Sequence, residues 1–153
     1  NISNLVIVLA LPNIQILTKD ARDILPGAVD MKDFVSNMAN ACLIASAFST
    51  DNYKLFSRSL KDIVIEPVRS TLIPGFDEVK AVALEAGADG MTISGAGPAV
   101  FAITESKKKA PIIEDAMVRT FKKHGVKCKT LITTPSPKGS VQITTDDFDY
   151  FEH

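Results

Sequence analysis

The sequence has no excess of charge of either sign: 17 Lys and Arg stand against 18 Asp and Glu, for a formal net charge of −1. A chain so balanced has no global basic field to recruit nucleic acid or an anionic membrane, so any anion site must be local. Cysteine is scarce. Cys42 and Cys128 form no C-x-x-C pair and lie in apolar or alternating surroundings. That pattern points to buried free thiols in a reducing cytosol rather than to a disulfide or a thiolate zinc site. Histidine is as scarce: His124 falls at the end of a predicted helix, where a cation suits the macrodipole, and His153 is terminal. Neither has a second ligand at metal spacing. No apolar run reaches the roughly 18 to 20 residues of a membrane-spanning helix, and the first such run, residues 5–11, has no basic segment ahead of it of the kind a signal peptide carries. A nucleophile elbow and a P-loop of the G-x-x-x-x-G-K-[ST] type are also missing.

What is present suits one domain. The 153 residues are 46% hydrophobic and 23% charged, a globular composition with enough chain for a real core. Residues 5–11 read as a strand buried on both faces and closed by Pro12-Asn13, and residues 14–18 alternate as a second strand. The sequence opens without Met almost directly into the first strand, as if cut from something longer.

Asp30 is placed as the N-cap of a long helix in which Met31, Phe34, Val35, Met38, Cys42, Ala45 and Phe48 recur at three- and four-residue steps, a face expected in the core. A shorter helix is predicted over residues 52–60, then a two-proline loop over 63–75, then a helix with Phe76, Val79, Val82, Ala83 and Ala86 inward, stopped by Gly87 and Gly90. Residues 91–94 and 99–104 read as strands joined by a tight glycine turn. Lys107 to Lys109 reads as a solvated loop. Pro111 fits the first turn of a fourth helix with Ile112, Ile113, Ala116, Met117, Thr120 and Phe121 inward. Strands over 126–133 and 141–144 follow, separated by a turn at 135–139. Segregated helices and hairpin-like strand pairs favour an α+β fold: a ferredoxin-like sandwich containing a β-α-β-β-α-β core, with an antiparallel sheet and helices packed on one face.

Few residues suggest chemistry. Ser94-Gly-Ala-Gly-Pro98 is either a plain glycine turn or a place where a ligand approaches the backbone closely beside a serine donor. Thr18 and Arg22, with Lys19 between them, put a hydroxyl and a guanidinium four positions apart. They read as a surface helix start or as one side of a small-carboxylate site. Arg69, isolated between Pro67 and Pro74 among apolar neighbours, reads as a rigidly aimed anion fork or as the partner of Glu66 in a local salt bridge. Every acid can be accounted for as surface, cap or tail.

These residues carry a likeness. Met91-Thr-Ile-Ser-Gly-Ala-Gly-Pro-Ala-Val-Phe-Ala-Ile103 resembles the C-terminal glycine motif of the GHMP small-molecule kinases. Leu17-Thr-Lys-Asp-Ala-Arg-Asp-Ile-Leu-Pro26 and Ile65-Glu-Pro-Val-Arg-Ser-Thr-Leu-Ile-Pro-Gly-Phe76 are similar to the homoserine kinase branch of that superfamily. The three matches stand in family order, and the likeness runs from Leu5 to about Thr144.

The resemblance implies a C-terminal, substrate-side domain over residues 1–145, with residues 146–153 as an acidic, aromatic tail. It further implies a separate N-terminal ATP-binding domain, absent from this chain, that completes the cleft. The implied reaction is transfer of the ATP γ-phosphoryl group to the side-chain hydroxyl of L-homoserine, in threonine biosynthesis in the cytoplasm. ATP and Mg2+ would be bound mainly by the N-terminal domain, whose Pro-x-x-x-Gly-Leu-Gly-Ser-Ser loop and acidic magnesium ligand do not occur here. By motif matching, Thr18 and Arg22 would line the substrate site and Arg69 would join Arg22 on the homoserine carboxylate. Gly95 and Gly97 would lie in the turn that meets the cleft. No catalytic or metal-binding residue is assigned, and no nucleic-acid or membrane partner is expected. A homodimer is a further possibility within the superfamily, although no isolated apolar patch in the sequence points to one. The chain alone is expected to be inactive. The alternatives are another GHMP kinase and a non-catalytic amino-acid-binding regulatory module of ferredoxin-like fold.

Overall fold

A computed structural model of the chain describes residues 2–136 and 138. The strand predicted over 141–144, the tail over 146–153 and the domain boundary at 145 lie outside the described residues, as does part of the turn at 135–139. The early apolar run becomes β1 (Val6–Pro12), which sits inside one antiparallel sheet with β2 (Gly90–Ile93), β3 (Val100–Thr104) and β4 (Cys128–Thr133), in the order β2-β3-β1-β4. A central strand has neighbours on both edges and apolar cover on its faces, which is why its sequence is continuously apolar. Val8 lies opposite Ala102 on one side and Ile132 on the other.

Two helices, α5 (Phe76–Glu85) and α6 (Ala110–Lys123), cover one face of the sheet. There Val8, Ala10, Val79, Ala102, Met117 and Phe121 form the heart of the larger core. The path β1-α5-β2-β3-α6-β4 with this strand order is the expected ferredoxin-like α+β arrangement. Successive strand residues point to opposite faces, so Ile7, Phe101 and Ile103 turn the other way. They meet a smaller cluster with Leu5, Ala47 and Phe56, drawn partly from α2 (Met31–Ser49) and α3 (Tyr53–Ser59). Buried Tyr53 donates its hydroxyl to Asp89 at 2.6 Å, which ties α3 to the residue just before β2.

Several expectations are corrected. Residues 14–17 form no strand, and the chain passes directly into the short helix α1 (Thr18–Asp23). Both edges of β1 are already paired, and Asn13 donates its N–H to the Lys127 carbonyl at 2.7 Å as the chain turns away. Ile14 and Ile16 still pack against the larger core, so an irregular segment produced the alternation.

Helix α2 begins where Asp30 caps it, the Asp30 carboxylate accepting from the N–H of Lys32 at 2.8 Å. Its apolar stripe, however, faces outward: Met31 is 72% exposed, and Phe34, Val35 and Met38 are each more than half exposed. The inward positions are polar instead. Asn37 donates to Asp62 at 2.8 Å and accepts from the N–H of Ile63, and Asn40 donates to the Lys61 carbonyl. Among the described residues, only the last turns of α2, through Ile44, Ala47 and Phe48, reach apolar partners.

The two-proline loop contains a one-turn helix, α4 (Glu66–Arg69), with Pro67 in its first turn, where a missing N–H costs nothing. Ile112 on α6 points to solvent. Both cysteines are free, but Cys42 is exposed, while Cys128 is partly buried, which pushes its thiol up.

Candidate functional site

Three segments far apart in sequence meet around one guanidinium. The first is α1, whose buried Ala21 faces the core while Thr18 and Arg22, one helical turn apart, stay exposed. The second is α4, which delivers Arg69 at its C-terminal end. The third is the turn between β2 and β3. Arg69 donates from Nε to the Ala21 carbonyl and from Nη1 to the Gly95 carbonyl, each at 3.3 Å. One side chain thus joins α1 to the glycine turn. Because Ala21 precedes Arg22, that bond also holds the backbone from which Arg22 projects. A guanidinium has five N–H donors, so Arg69 keeps three after these two bonds.

The glycine turn is closed by the N–H of Ser94 on the Ala99 carbonyl at 2.8 Å and the N–H of Gly97 on the Ser94 carbonyl at 3.0 Å. Gly95 and Gly97 have φ of 61° and 82°, in the left-handed region that glycine enters without a side-chain penalty. They differ in surroundings. A Cβ at Gly97 would touch Ile93, Ile73 and Ile16 at 3.4 to 3.7 Å, whereas one at Gly95 would meet open space. Gly97 therefore seats the turn on the core, and Gly95 is its open side.

The turn that leads into α4 is held by a residue that sequence reading passed over. The Asp62 carboxylate accepts from the N–H groups of Val64 and Ile65 and from the Asn37 amide, at 2.8 to 3.0 Å. Burial works against its charge, but these donors outweigh burial and hold Asp62 below the usual carboxylate range. Asp62 therefore shapes the turn into α4 and links it to α2. An aspartate a few residues ahead of a proline-bearing helix start is the local signal that could have marked it.

Glu66 settles two further expectations. It is a buried acid rather than a surface, cap or tail residue, and its partner is Lys80 on α5, not Arg69. The second oxygen, Oε2, is buried with no hydrogen-bond partner. Glu66 lines a cavity of about 520 Å3 with Leu60, Asp62, Lys80, Asp89 and Met91 among others, and none of Thr18, Arg22, Arg69, Gly95 or Gly97 lines it. The Lys80 pairing spans 14 residues and two helices, so no local pattern marked it.

Among the described residues, neither Arg22 nor Arg69 has an acidic partner. What the structure brings together is the Arg69 guanidinium, the main chain of α1 next to Arg22 and the open glycine turn; Thr18 and Arg22 are exposed on α1, and no contact joins their side chains to Arg69 among the described residues. Among the same residues no group of three or more His, Cys, Asp or Glu is placed to hold a metal ion.

Comparison with known proteins gives a consistent set of relatives. The family described as GHMP kinases C terminal matches residues 44–123. The homoserine kinase of Chlorobium phaeobacteroides (strain BS1) is 41% identical over 118 residues, covering 77% of this chain and 37% of that protein. That of Moorella thermoacetica is 37% identical over 139 residues, covering 91% and 46%. The crystal structure of homoserine kinase from Cytophaga hutchinsonii superposes with a TM-score of 0.82 at 37% identity, covering 86% of this chain and 42% of that one. The chain spans less than half the length of each of these relatives.

Proposed function

This chain belongs to the GHMP kinases through their C-terminal family, and from that premise we propose that it is the substrate-side half of a homoserine kinase. In this reading the whole protein transfers the γ-phosphoryl group of ATP to the side-chain hydroxyl of L-homoserine. The relatives that match over most of the chain are named homoserine kinases, which supports this choice within the family.

The observation that carries the reading is the bridge made by Arg69. Its fork is fixed by two carbonyls from the two other motif segments and retains donors for an incoming carboxylate. Arg22, projecting from the residue next to one of those carbonyls, supplies the second cation. Thr18 stands one helical turn from Arg22, and the glycine turn is open at Gly95. Phosphoryl transfer depends mainly on positioning and on charge stabilisation. Residues that hold the acceptor by its carboxylate fix where its hydroxyl lies.

The described residues do not fit a magnesium site, since none of their His, Cys, Asp and Glu side chains group in threes. In this proposal ATP and Mg2+ are held mainly by an N-terminal domain outside this chain. The protein would act in the cytoplasm, in threonine biosynthesis.

The test is kinetic. In the full-length enzyme, Arg22→Ala and Arg69→Ala should each raise the KM for homoserine about tenfold or more, as loss of a charge-assisted bond of about 1.5–3 kcal/mol requires. The KM for ATP should change much less. Equal effects on both substrates would remove the assignment.

A further inference from the structure

The cavity beside α4 is lined by a carboxylate with one oxygen left over, and the groups around it say what kind of donor would complete it. Its volume of about 520 Å3 falls within the span of small-molecule sites, roughly 300–1,000 Å3. Leu60, Ile63, Leu84 and Met91 give it apolar walls, and Asp62, Glu66 and Asp89 bring carboxylates to it. The Glu66 side chain is only 10% exposed. Its Oε1 takes the Lys80 ammonium, while Oε2 is buried and has no hydrogen-bond partner among the described residues. Folded proteins leave few such atoms unpaired, because an acceptor taken out of water without a donor loses the bonds it had there.

The donors and acceptors around the cavity are unequally committed. Asp62 already serves the N–H groups of Val64 and Ile65 and the Asn37 amide. Lys80 is held by Glu66 and stands 5.7 Å from the centre of the Phe76 ring, so its charge is met by an acid and a π face. Lys61 also lines the cavity but is exposed, and water holds its ammonium. Asp89 accepts the Tyr53 hydroxyl through Oδ2, and among the described residues its Oδ1 takes no donor. Spare acceptor capacity thus remains on two acids, with no matching surplus of donors. A bare divalent ion is a poor match, since no three His, Cys, Asp or Glu side chains among the described residues are grouped to ligate one. An ammonium group has three donors and no acceptor, and an alkyl chain attached to it suits the walls.

We propose that this cavity binds a small aliphatic primary amine in its ammonium form. The Glu66 carboxylate is the main acceptor, Asp89 adds negative charge, and the alkyl chain lies against Leu60, Ile63, Leu84 and Met91. A carboxylate on the same ligand, as in a zwitterionic amino acid, is disfavoured because it would meet acids already present. The site is distinct from the arginine–glycine cluster, although the two share α4, which begins at Glu66 and ends at Arg69. It does not depend on the kinase reading, and none of its probes carries a phosphoryl group.

Labelling the methionine methyl groups of the 153-residue chain with 13C gives four resonances, from Met31, Met38, Met91 and Met117. Met91 lines the cavity, and Met91→Leu assigns its signal. Titration with n-butylammonium at neutral pH should move that signal saturably, with a Kd of about 1–10 mM for so small a ligand. Butyrate and norvaline, of similar chain length, should bind about tenfold more weakly or worse. Glu66→Gln should weaken n-butylammonium about tenfold or more, the scale of a charge-assisted hydrogen bond. Leu84→Lys, at an exposed position of the wall, puts a cation in the cavity and should abolish binding. Asp115→Asn removes an acid elsewhere on the surface and should change nothing, and circular dichroism checks that each variant is folded. No saturable shift of any labelled methyl up to about 50 mM n-butylammonium, several times the expected Kd, overturns the proposal. Equal affinity for butyrate or norvaline overturns it too, since the cavity would then not select a cation. So does binding indifferent to both Glu66→Gln and Leu84→Lys.

Discussion

Arg69 commits two N–H donors to main-chain carbonyls, and that is a fork's use of a cation rather than a point charge's. Lysine at this position keeps the charge but cannot hold Ala21 and Gly95 together while also offering a planar pair to a carboxylate. Arg69→Lys in the full-length enzyme is therefore expected to lose most of what Arg69→Ala loses in homoserine KM; a near-wild-type KM would show that charge alone suffices. Asp62 acts one step behind it. Removing its three hydrogen bonds with Asp62→Ala should cost about 1–3 kcal/mol of stability, read by thermal melting. The folded pKa of Asp62 lies below its ordinary value of about 3.9. Its stabilisation is thus present above about pH 4 and is lost as pH falls through the lower folded value. The gap in Tm between wild type and Asp62→Ala should accordingly narrow below about pH 4. A gap constant down to strong acid would mean that the ionised carboxylate is not what holds the turn.

At the level of elements, the joints decide the geometry. Gly75 is the N-cap of α5; its φ is 77°, and its missing Cβ leaves room for the His124 ring at the end of α6. A Cβ there would lie 2.3 Å from that ring. Gly75→Ala combines a left-handed backbone with this overlap and is expected to cost about 1–2 kcal/mol from the backbone alone, with the ring clash added. Calorimetry on the variant checks the sum. The Glu66–Lys80 pair joins α4 to α5, with Glu66 nearly buried and Lys80 about one-third exposed. Lys80→Met leaves that carboxylate without its cation and should destabilise by about 3 kcal/mol, near the low end for a broken buried pair. A further Glu66→Gln change, which removes the charge left behind, should recover part of the loss; no recovery would argue against the pair as the source.

For the molecule as a whole, the strand order and the two covering helices make a self-contained ferredoxin-like layer. The arginine–glycine cluster lies where α1, α4 and the β2–β3 turn meet. Taken alone, the chain is expected to give no turnover in a coupled ADP-release assay with ATP and homoserine. Ordinary turnover would place the nucleotide site inside these residues and rule out a nucleotide site held by a separate domain.

Much of this was legible in the linear order of residues. Continuous apolar runs marked β1 and β3 because a strand covered on both faces leaves nothing polar to alternate. The α5 stripe and most of the α6 stripe marked core faces because three- and four-residue steps return to one side of a helix. The glycine turn was visible because positive φ selects glycine. These are local or periodic constraints, and the residues themselves carry them. What lay beyond reach was pairing across distance. Arg69 was ambiguous between Glu66 and an anion until the fold placed Lys80 beside the acid and two carbonyls beside the guanidinium. The α2 stripe was periodic whichever way it faced. Periodicity establishes that a face is apolar but not what covers it, and only the packing of Asn37 and Asn40 against the turn before α4 decided that this one looks outward.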